Sequence, residues 1–196
     1  MIVECSITLG FNIKYLIDIN TNLKSNEKIL GVSVKPKEYL NKIGKGSNVF
    51  IAVGDNNIRE KIFLKYKNFF KFINLIHPSS FVAKNVKLGK ANFIGPKVII
   101  NSDSKINDNC IINTGSIIEH ECKLMNNVHV GPGSIVCGRV KLKKNCFIGA
   151  GSKIIQNITI KENCIIGAGS IVLSHTKSNC TYIGSPAKLK IKDITK

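Results

Sequence analysis

The sequence predicts a mainly β protein in which a parallel β-helix of hexapeptide repeats follows a truncated α/β domain. Three observations carry this prediction: an unbroken six-residue repeat, a column of serines 18 residues apart, and an α/β pattern without its opening strand. From Val82 to Val172, every sixth residue is Ile, Leu or Val, at sixteen consecutive positions. An α-helix repeats every 3.6 residues and an exposed strand every two, so a hexapeptide solenoid is the structure that gives this pattern.

The repeat predicts a triangular coil over residues 78–173. Fifteen hexapeptides give five turns of three strands each. Stacked strands lie about 4.8 Å apart, so residue i lies beneath residue i+18. A serine column at this spacing, which continues from Val98, supports the register: Ser116, Ser134, Ser152 and Ser170. Residues 174–196 leave the repeat and form a basic C-terminal tail.

The seven cysteines fit the coil better than they fit a disulfide or metal framework. Cys110, Cys146 and Cys164 share one inward column, which Val128 completes, so cysteine acts there as a small apolar residue. The count is odd and no Cys-x-x-Cys motif occurs. Free thiols predict a reducing cytoplasm.

Residues 1–77 have the pattern of a nucleotide-binding βαβ unit. The predicted elements are a helix over 2–9, strands over 12–17, 49–53 and 72–76, and a helix over 58–69. Such a unit opens with a strand and a glycine-rich phosphate loop, whereas here Met1 falls in the helix that follows that loop. We therefore expect a late start of the reading frame or a degraded gene. The missing strand would leave a gap of about 9.6 Å between its neighbours.

The formal net charge of +17 suggests an anionic partner. The basic residues are nearly all Lys and lie thinly along the chain, without a nucleic-acid-binding motif, so nucleic acid is disfavoured. A basic surface suits polyphosphate ligands such as coenzyme A or a nucleotide sugar. No signal peptide or membrane-spanning run is predicted.

Several motifs resemble the bacterial sugar acetyltransferases of the PglD/NeuD type. They are Ile118-Glu-His-Glu-Cys, Val128-His-Val-Gly-Pro-Gly, Val53-Gly-Asp-Asn-Asn-Ile-Arg, Leu75-Ile-His-Pro and Tyr182-Ile-Gly-Ser-Pro-Ala-Lys. The resemblance covers the chain from Met1 to about Lys188. It implies a left-handed coil, a homotrimer and acetyl-CoA as the acyl donor, with no metal.

The chemistry of acetyl transfer points to His120. The acceptor must lose a proton as it attacks the thioester, and an imidazole titrates near neutrality. In enzymes that the chain resembles, a neighbouring glutamate holds the ring's tautomer, and Glu121 matches it. Residue 138 lies one turn above residue 120 in the 18-residue register, so the N–H of Gly138 is our candidate donor to the developing oxyanion. Asn113 is assigned a supporting role at this catalytic site.

The same resemblance assigns the binding residues. It implies that His129 contacts coenzyme A and that Ala150 and Ala168 line the coenzyme groove through their backbones. In the first domain, Asp18 and Gly54 match the family's positions for a nucleotide sugar. The leading hypothesis is acetylation of the amino group of a UDP-linked 4-amino-dideoxy sugar for surface glycans.

Three alternatives remain. Sialic acid O-acetyltransferases are built from similar parts, and a truncated member could be a non-catalytic scaffold. A zinc carbonic anhydrase uses the same kind of prism but needs three converging histidines, and this coil offers only His120 and His129.

Overall fold

The computed structural model describes residues 1–19 and 27–190 and contains an α/β region followed by a three-sided coil. Within residues 1–19 and 27–72, the α/β region holds two α-helices, one 3-10 helix and five strands. They are α1 (Ile2–Thr8), β1 (Leu16–Asp18), β2 (Lys28–Ile29), β3 (Val32–Pro36), the 3-10 helix (Lys37–Lys42), β4 (Asn48–Val49), α2 (Asn56–Tyr66) and β5 (Lys71–Phe72).

Two separate small sheets form in this region. In the first, β1 pairs in parallel with β3, which β2 joins in antiparallel fashion. In the second, β4 and β5 pair in parallel. Within the described residues the two sheets share no strand pairing. Both predicted helices are present, and the predicted strands are shorter; the sequence did not predict β2, β3 or the 3-10 helix, and the predicted strand 72–76 is divided between β5 and the first strand of the coil. Helix α2 begins at Asn56 because Asp55 caps it by accepting the Ile58 N–H at 2.8 Å.

The coil has three faces, which follow each other along the chain. The first face is built from Leu75–Ile76, Phe93–Ile94, Ile111–Ile112, His129–Val130, Phe147–Ile148, Ile165–Ile166 and Thr181–Ile183, with Lys188–Leu189 antiparallel at its end. The second is built from Phe81–Val82, Ile99–Ile100, Ile117–Ile118, Ile135–Val136, Lys153–Ile154 and Ile171–Val172. The third is built from Lys87–Leu88, Lys105–Ile106, Lys123–Leu124, Lys141–Leu142 and Thr159–Ile160.

Parallel pairing in the coil joins residues 18 apart, as predicted. Ile118 pairs with Val136 and Leu124 with Leu142, for example. The pairing also extends beyond residues 78–173, because Leu75–Ile76 pairs with Phe93–Ile94 at one end and Ile165–Ile166 with Thr181–Tyr182 at the other. The last six residues of the predicted tail lie outside the described range.

The second residue of each coil strand points inward and forms the core. From Ile94 to Ile166 these residues are at most 1 % exposed, and burying each such side chain contributes about 1.5–3 kcal/mol. Cys110, Cys122, Cys146 and Cys164 are buried among them as free thiols. The predicted role of the inward cysteines as small core residues is confirmed.

Three corners separate the faces, and left-handed backbone makes each of them sharp. We number the corners in chain order. The first corner joins the first face to the second face, and the second corner joins the second face to the third face. The third corner joins the third face to the first face of the next turn. Asparagine recurs at the third corner with φ between 53° and 64°, at Asn109, Asn127, Asn145, Asn163 and Asn179. Asparagine tolerates this conformation better than most residues do.

Candidate active site

His120 and Glu121 lie at the second corner, directly after the strand Ile117–Ile118. Glu121 has a φ of +59°, which is uncommon outside glycine. Its Oε2 lies 3.0 Å from His120 Nδ1. Because a carboxylate only accepts hydrogen bonds, this contact assigns the ring hydrogen to Nδ1 and leaves a lone pair on Nε2 of the neutral ring.

Arg139 contacts the same carboxylate from the turn above. Its Nη1 lies 3.4 Å from Glu121 Oε2, and its Nε donates to Asn157 Oδ1 at 3.0 Å. Hydrogen bonds from His120 and Arg139 hold the pKa of the exposed Glu121 carboxyl below its ordinary value, which burial alone would raise. Glu121 is therefore ionised when it orients the imidazole.

Gly138 lies against the edge of the His120 ring. The Arg139 N–H donates to the His120 carbonyl at 2.9 Å, which fixes the two turns relative to each other. A Cβ on residue 138 would lie 2.6 Å from His120 Nε2, a distance that real Cβ atoms essentially never show. Among the described residues, the Gly138 N–H has no hydrogen-bond acceptor. The corner thus combines an imidazole lone pair with an unshielded, unused amide.

The predicted residues Asn113, Ala150 and Ala168 lie at the first corner. Asn113 Oδ1 accepts the Thr114 N–H at 2.8 Å. Ala150 and Ala168 are exposed and stacked, since the Gly169 N–H donates to the Ala150 carbonyl at 2.8 Å. The second face separates this corner from His120, so one chain does not bring the two groups of residues together.

His129 lies on the outer side of the first face, beneath the N-terminal domain. Its ring meets Phe147 edge-on with 5.0 Å between centroids. Its Nδ1 lies 3.3 Å from the carbonyl oxygen of Gly54. Burial and the nearby positive charge of Arg59 lower the pKa of His129 to about 4. The structure therefore joins two predicted residues, His129 and Gly54, that the sequence assigned to different ligands.

Asp18 is half-buried at the end of β1, where it pairs with Pro36 of β3. Gly54 follows β4 and precedes α2, and it is exposed. Asp18 thus ends a strand of the first small sheet, whereas Gly54 lies in the connection between β4 and α2.

Sequence reasoning missed Arg59, which is 1 % exposed between the domains. It lies on α2 and donates to the carbonyl oxygens of Gly54 at 2.9 Å and Asn109 at 3.1 Å. The signal was available: in a chain whose basic residues are nearly all Lys, Arg occurs only at positions 59 and 139, and both lie near predicted site residues.

A basic groove of about 600 Å³ runs along the third face and reaches the second corner. Its floor is a column of stacked lysines, Lys87, Lys105, Lys123 and Lys141. Glu121 and Arg139 line its edge. The lysine column and Arg139 thus place positive charge beside the His120 corner.

Comparison with known proteins identifies the family. Residues 1–66 match the PglD N-terminal domain, and residues 121–156 and 139–174 match the bacterial transferase hexapeptide. A histidine-to-asparagine variant of perosamine N-acetyltransferase from Caulobacter crescentus, in complex with CoA and GDP-perosamine, is 32% identical, with a TM-score of 0.88 over 97% of this chain and 91% of that one. The chain belongs to the PglD-type sugar acetyltransferases.

One further structure supports this assignment, and another shares the fold. The acetyltransferase domain of PglB from Neisseria gonorrhoeae, in complex with acetyl coenzyme A, is 27% identical, with a TM-score of 0.87 over 95% of this chain and 91% of that one. WeeI from Acinetobacter baumannii shares the fold at 22% identity and a TM-score of 0.79, over 89% and 84% of the two chains. No curated protein sequence matches the chain.

Family membership confirms several predictions. The coil is a left-handed parallel β-helix preceded by a PglD N-terminal domain, and the protein is an acyltransferase.

No helix in the described part is long and apolar enough to cross a membrane. Within residues 1–19 and 27–190, no three His, Cys, Asp or Glu side chains form a group that could hold a metal ion.

Proposed function

We propose that this protein transfers an acetyl group from acetyl-CoA to the amino group of a nucleotide-linked sugar. The observation that carries the proposal is the second corner, where Glu121 orients His120 against the bare backbone of Gly138. A base and an amide donor within one small site are the two groups that acyl transfer to an amine requires.

His120 is the proposed general base. With Nδ1–H bound to Glu121, Nε2 is the atom that takes the proton of the attacking amine. As the C–N bond forms and the C–S bond breaks, this proton passes to the departing sulfur, so that the ring returns to its starting state. Glu121 stabilises the ring while it is positively charged, because its carboxylate lies 3.0 Å from Nδ1.

Gly138 is the proposed donor to the thioester oxygen, where negative charge develops. Its N–H is unused within the described structure, and it lies beside the base. An amide that is already in place stabilises such charge without reorganisation. Asn113 remains a proposed supporting residue, at the first corner.

Acetyl-CoA supplies the activated acetyl group, and the residues present fit it. The exposed Ala150 and Ala168 leave the first corner open to a narrow chain. The lysine column of the third face offers positive charge to phosphates. Solved relatives carry CoA or acetyl coenzyme A.

The N-terminal domain is the proposed holder of the nucleotide sugar, through Asp18 and Gly54. The similar Caulobacter enzyme is seen with GDP-perosamine, whereas we predicted a UDP-linked 4-amino sugar. The base of the nucleotide and the identity of the sugar are therefore the variables that an assay must test.

We also propose a homotrimer, because the site residues lie at two corners of one chain. The outer side of the second face carries four stacked apolar residues, Phe81, Ile99, Ile117 and Ile135, after which Lys153 and then Ile171 follow in the same column. Phe81 is 58 % and Ile99 36 % exposed. If another copy covers this column, the second corner of one protomer approaches the first corner of the next. In a closed ring of three, every protomer buries this apolar face.

The deciding experiment measures thiol release from acetyl-CoA with purified protein and a panel of UDP- and GDP-linked 4-amino sugars, with sialic acid as the O-acetylation alternative. We expect turnover with an amino sugar and a roughly 10²- to 10⁴-fold loss in His120→Ala. Turnover with sialic acid alone would support the O-acetyltransferase. Acetyl-CoA binding without turnover of any acceptor would support a non-catalytic member. A His120→Ala variant at full rate would refute the base assignment.

The cytoplasm remains the proposed location. All seven cysteines are free thiols, and four of them are buried in the coil, where they pack as apolar groups.

A further inference from the structure

Arg59 joins the two domains, because its guanidinium donates hydrogen bonds to backbone carbonyl oxygens of both. Its Nε donates to the Asn109 carbonyl at 3.1 Å, and its Nη2 donates to the Asn127 carbonyl at 3.3 Å, both at the third corner of the coil. Its Nη1 donates to the Gly54 carbonyl at 2.9 Å. A planar guanidinium can hold oxygens on several sides at once, which the single ammonium of a lysine cannot do in the same geometry.

The Gly54 carbonyl is shared between Arg59 and His129. The oxygen lies 2.9 Å from Arg59 Nη1 and 3.3 Å from His129 Nδ1. A carbonyl oxygen only accepts hydrogen bonds, so this contact is a hydrogen bond when His129 carries its hydrogen on Nδ1. The other ring nitrogen, Nε2, then has a lone pair and no hydrogen.

Two further contacts hold this arrangement in place. Phe147 meets the His129 ring edge-on at 5.0 Å and limits its rotation. The Asn127 side chain donates to the carbonyl of Asn56, two residues after Gly54, at 2.8 Å. This bond fixes the start of α2 to the coil. With His129 neutral in its half-buried position, the tautomer decides whether the ring donates or accepts.

We propose that Arg59 is a positioning residue for acetyl transfer: by fixing the Gly54 carbonyl, it holds His129 as the Nδ1–H tautomer, which presents Nε2 as an acceptor to an N–H group of the acyl donor's amide-containing arm. The identity of the ligand, acetyl-CoA, rests on the proposed function. The tautomer of His129 does not, because it can be measured in the protein without any ligand. Arg59 does not touch the ligand and acts through Gly54 and His129.

A neighbouring ion pair supplies a matched control. Glu60, next to Arg59 on α2, binds Lys144 of the coil with 2.8 Å between Oε1 and Nζ. Glu60→Gln therefore weakens the same interface between the domains without touching Gly54 or His129. If Arg59 merely docks the domains, the Glu60 and Arg59 variants should affect His129 alike.

The test is ¹⁵N NMR of the full-length protein labelled at histidine, with the His129 resonances assigned from a His129→Gln variant. In the wild-type protein at pH 7 we expect a protonated Nδ1 and an unprotonated Nε2. In Arg59→Lys and Arg59→Gln we expect a mixture of tautomers, and in Glu60→Gln the wild-type pattern. In steady-state kinetics, the Arg59 variants should raise the KM for acetyl-CoA roughly tenfold, the value of one lost hydrogen bond, with a smaller change in kcat.

An Nε2–H tautomer in the wild-type protein would overturn the proposal, as would an unchanged tautomer in both folded Arg59 variants. Should both variants fail to fold, the wild-type tautomer decides. The expected tautomer in a protein that acetylates no sugar would refute the proposed function and leave the positioning role of Arg59 intact.

Discussion

Gly138 and His120 are in direct register, one turn of the coil apart, and a single added carbon on Gly138 would fall 2.6 Å from His120 Nε2. The contact makes a glycine necessary at this corner for steric reasons as well as for its amide. It also gives the proposed mechanism its most direct test.

Gly138→Ala should lower kcat/KM roughly 10²-fold or more, because the new methyl group displaces the imidazole by about an ångström from its working position. Thermal unfolding should change little, since the new methyl group meets only the exposed side chain of His120, which can turn away. Gly44→Ala is the matched control, as its Cβ would meet nothing within 4 Å. An alanine variant at full rate with a native melting curve would contradict the placement of the reaction at this corner.

Glu121→Gln should lower kcat roughly 10- to 100-fold, because the ring loses the charged partner that stabilises it when it is protonated. Hydrogen bonds from His120 and Arg139 hold the pKa of Glu121 below its ordinary value, so its carboxylate is charged at neutral pH and its own titration does not shape the rate profile there. Asp103→Asn is the control: it lies one turn below at the same corner with a similar φ of +61°, and it binds Asn85 at 2.7 Å. Equal losses in both variants would indicate a general effect of corner charge.

His129 should make the protein less stable in mild acid. Its pKa is about 4 in the folded protein and about 6.5 when unfolded. The unfolded chain therefore binds a proton that the folded chain does not, and stability is lost as pH falls from about 6.5 towards 4. At pH 5.5 the loss should be about 1 kcal/mol relative to pH 7.5.

Urea unfolding at both pH values measures this effect. The acid-dependent loss should shrink by that amount in His129→Gln and persist in His175→Gln, which removes an exposed histidine at the end of the coil. An identical pH dependence in the wild-type protein and His129→Gln would show that His129 protonates freely in the folded state.

Ile99→Glu should dissociate the proposed trimer, because it places a charge between Phe81 and Ile117 in the apolar column on the second face. Thr159→Glu adds the same charge at the corresponding outward position of the third face and should leave the assembly intact. Sedimentation velocity distinguishes a 21.5 kDa chain from a particle of three times that mass. A wild-type protein that is monomeric and active would refute the shared site.

The sequence was most informative about the coil. An inward residue in every hexapeptide must be apolar and small enough to fit a narrow prism, so the positions from Val82 to Val172 predicted both the fold and the stacking of residue 138 on residue 120. That stacking is confirmed by the pairing of Ile118 with Val136. The family motif around His120 is local in sequence, so it could be found without coordinates.

Tertiary structure decided what the repeat does not encode. The separation of Ala150 and Ala168 from His120 by a whole face follows from the closure of the prism, and so do the apolar and lysine columns on different faces. The contact of His129 with Gly54, 75 residues away, and the burial of Arg59 between the domains depend on how α2 docks onto the coil. Such docking depends on irregular contacts between residues that are distant in the chain. These contacts do not repeat at a fixed spacing, so no pattern in the sequence predicts them.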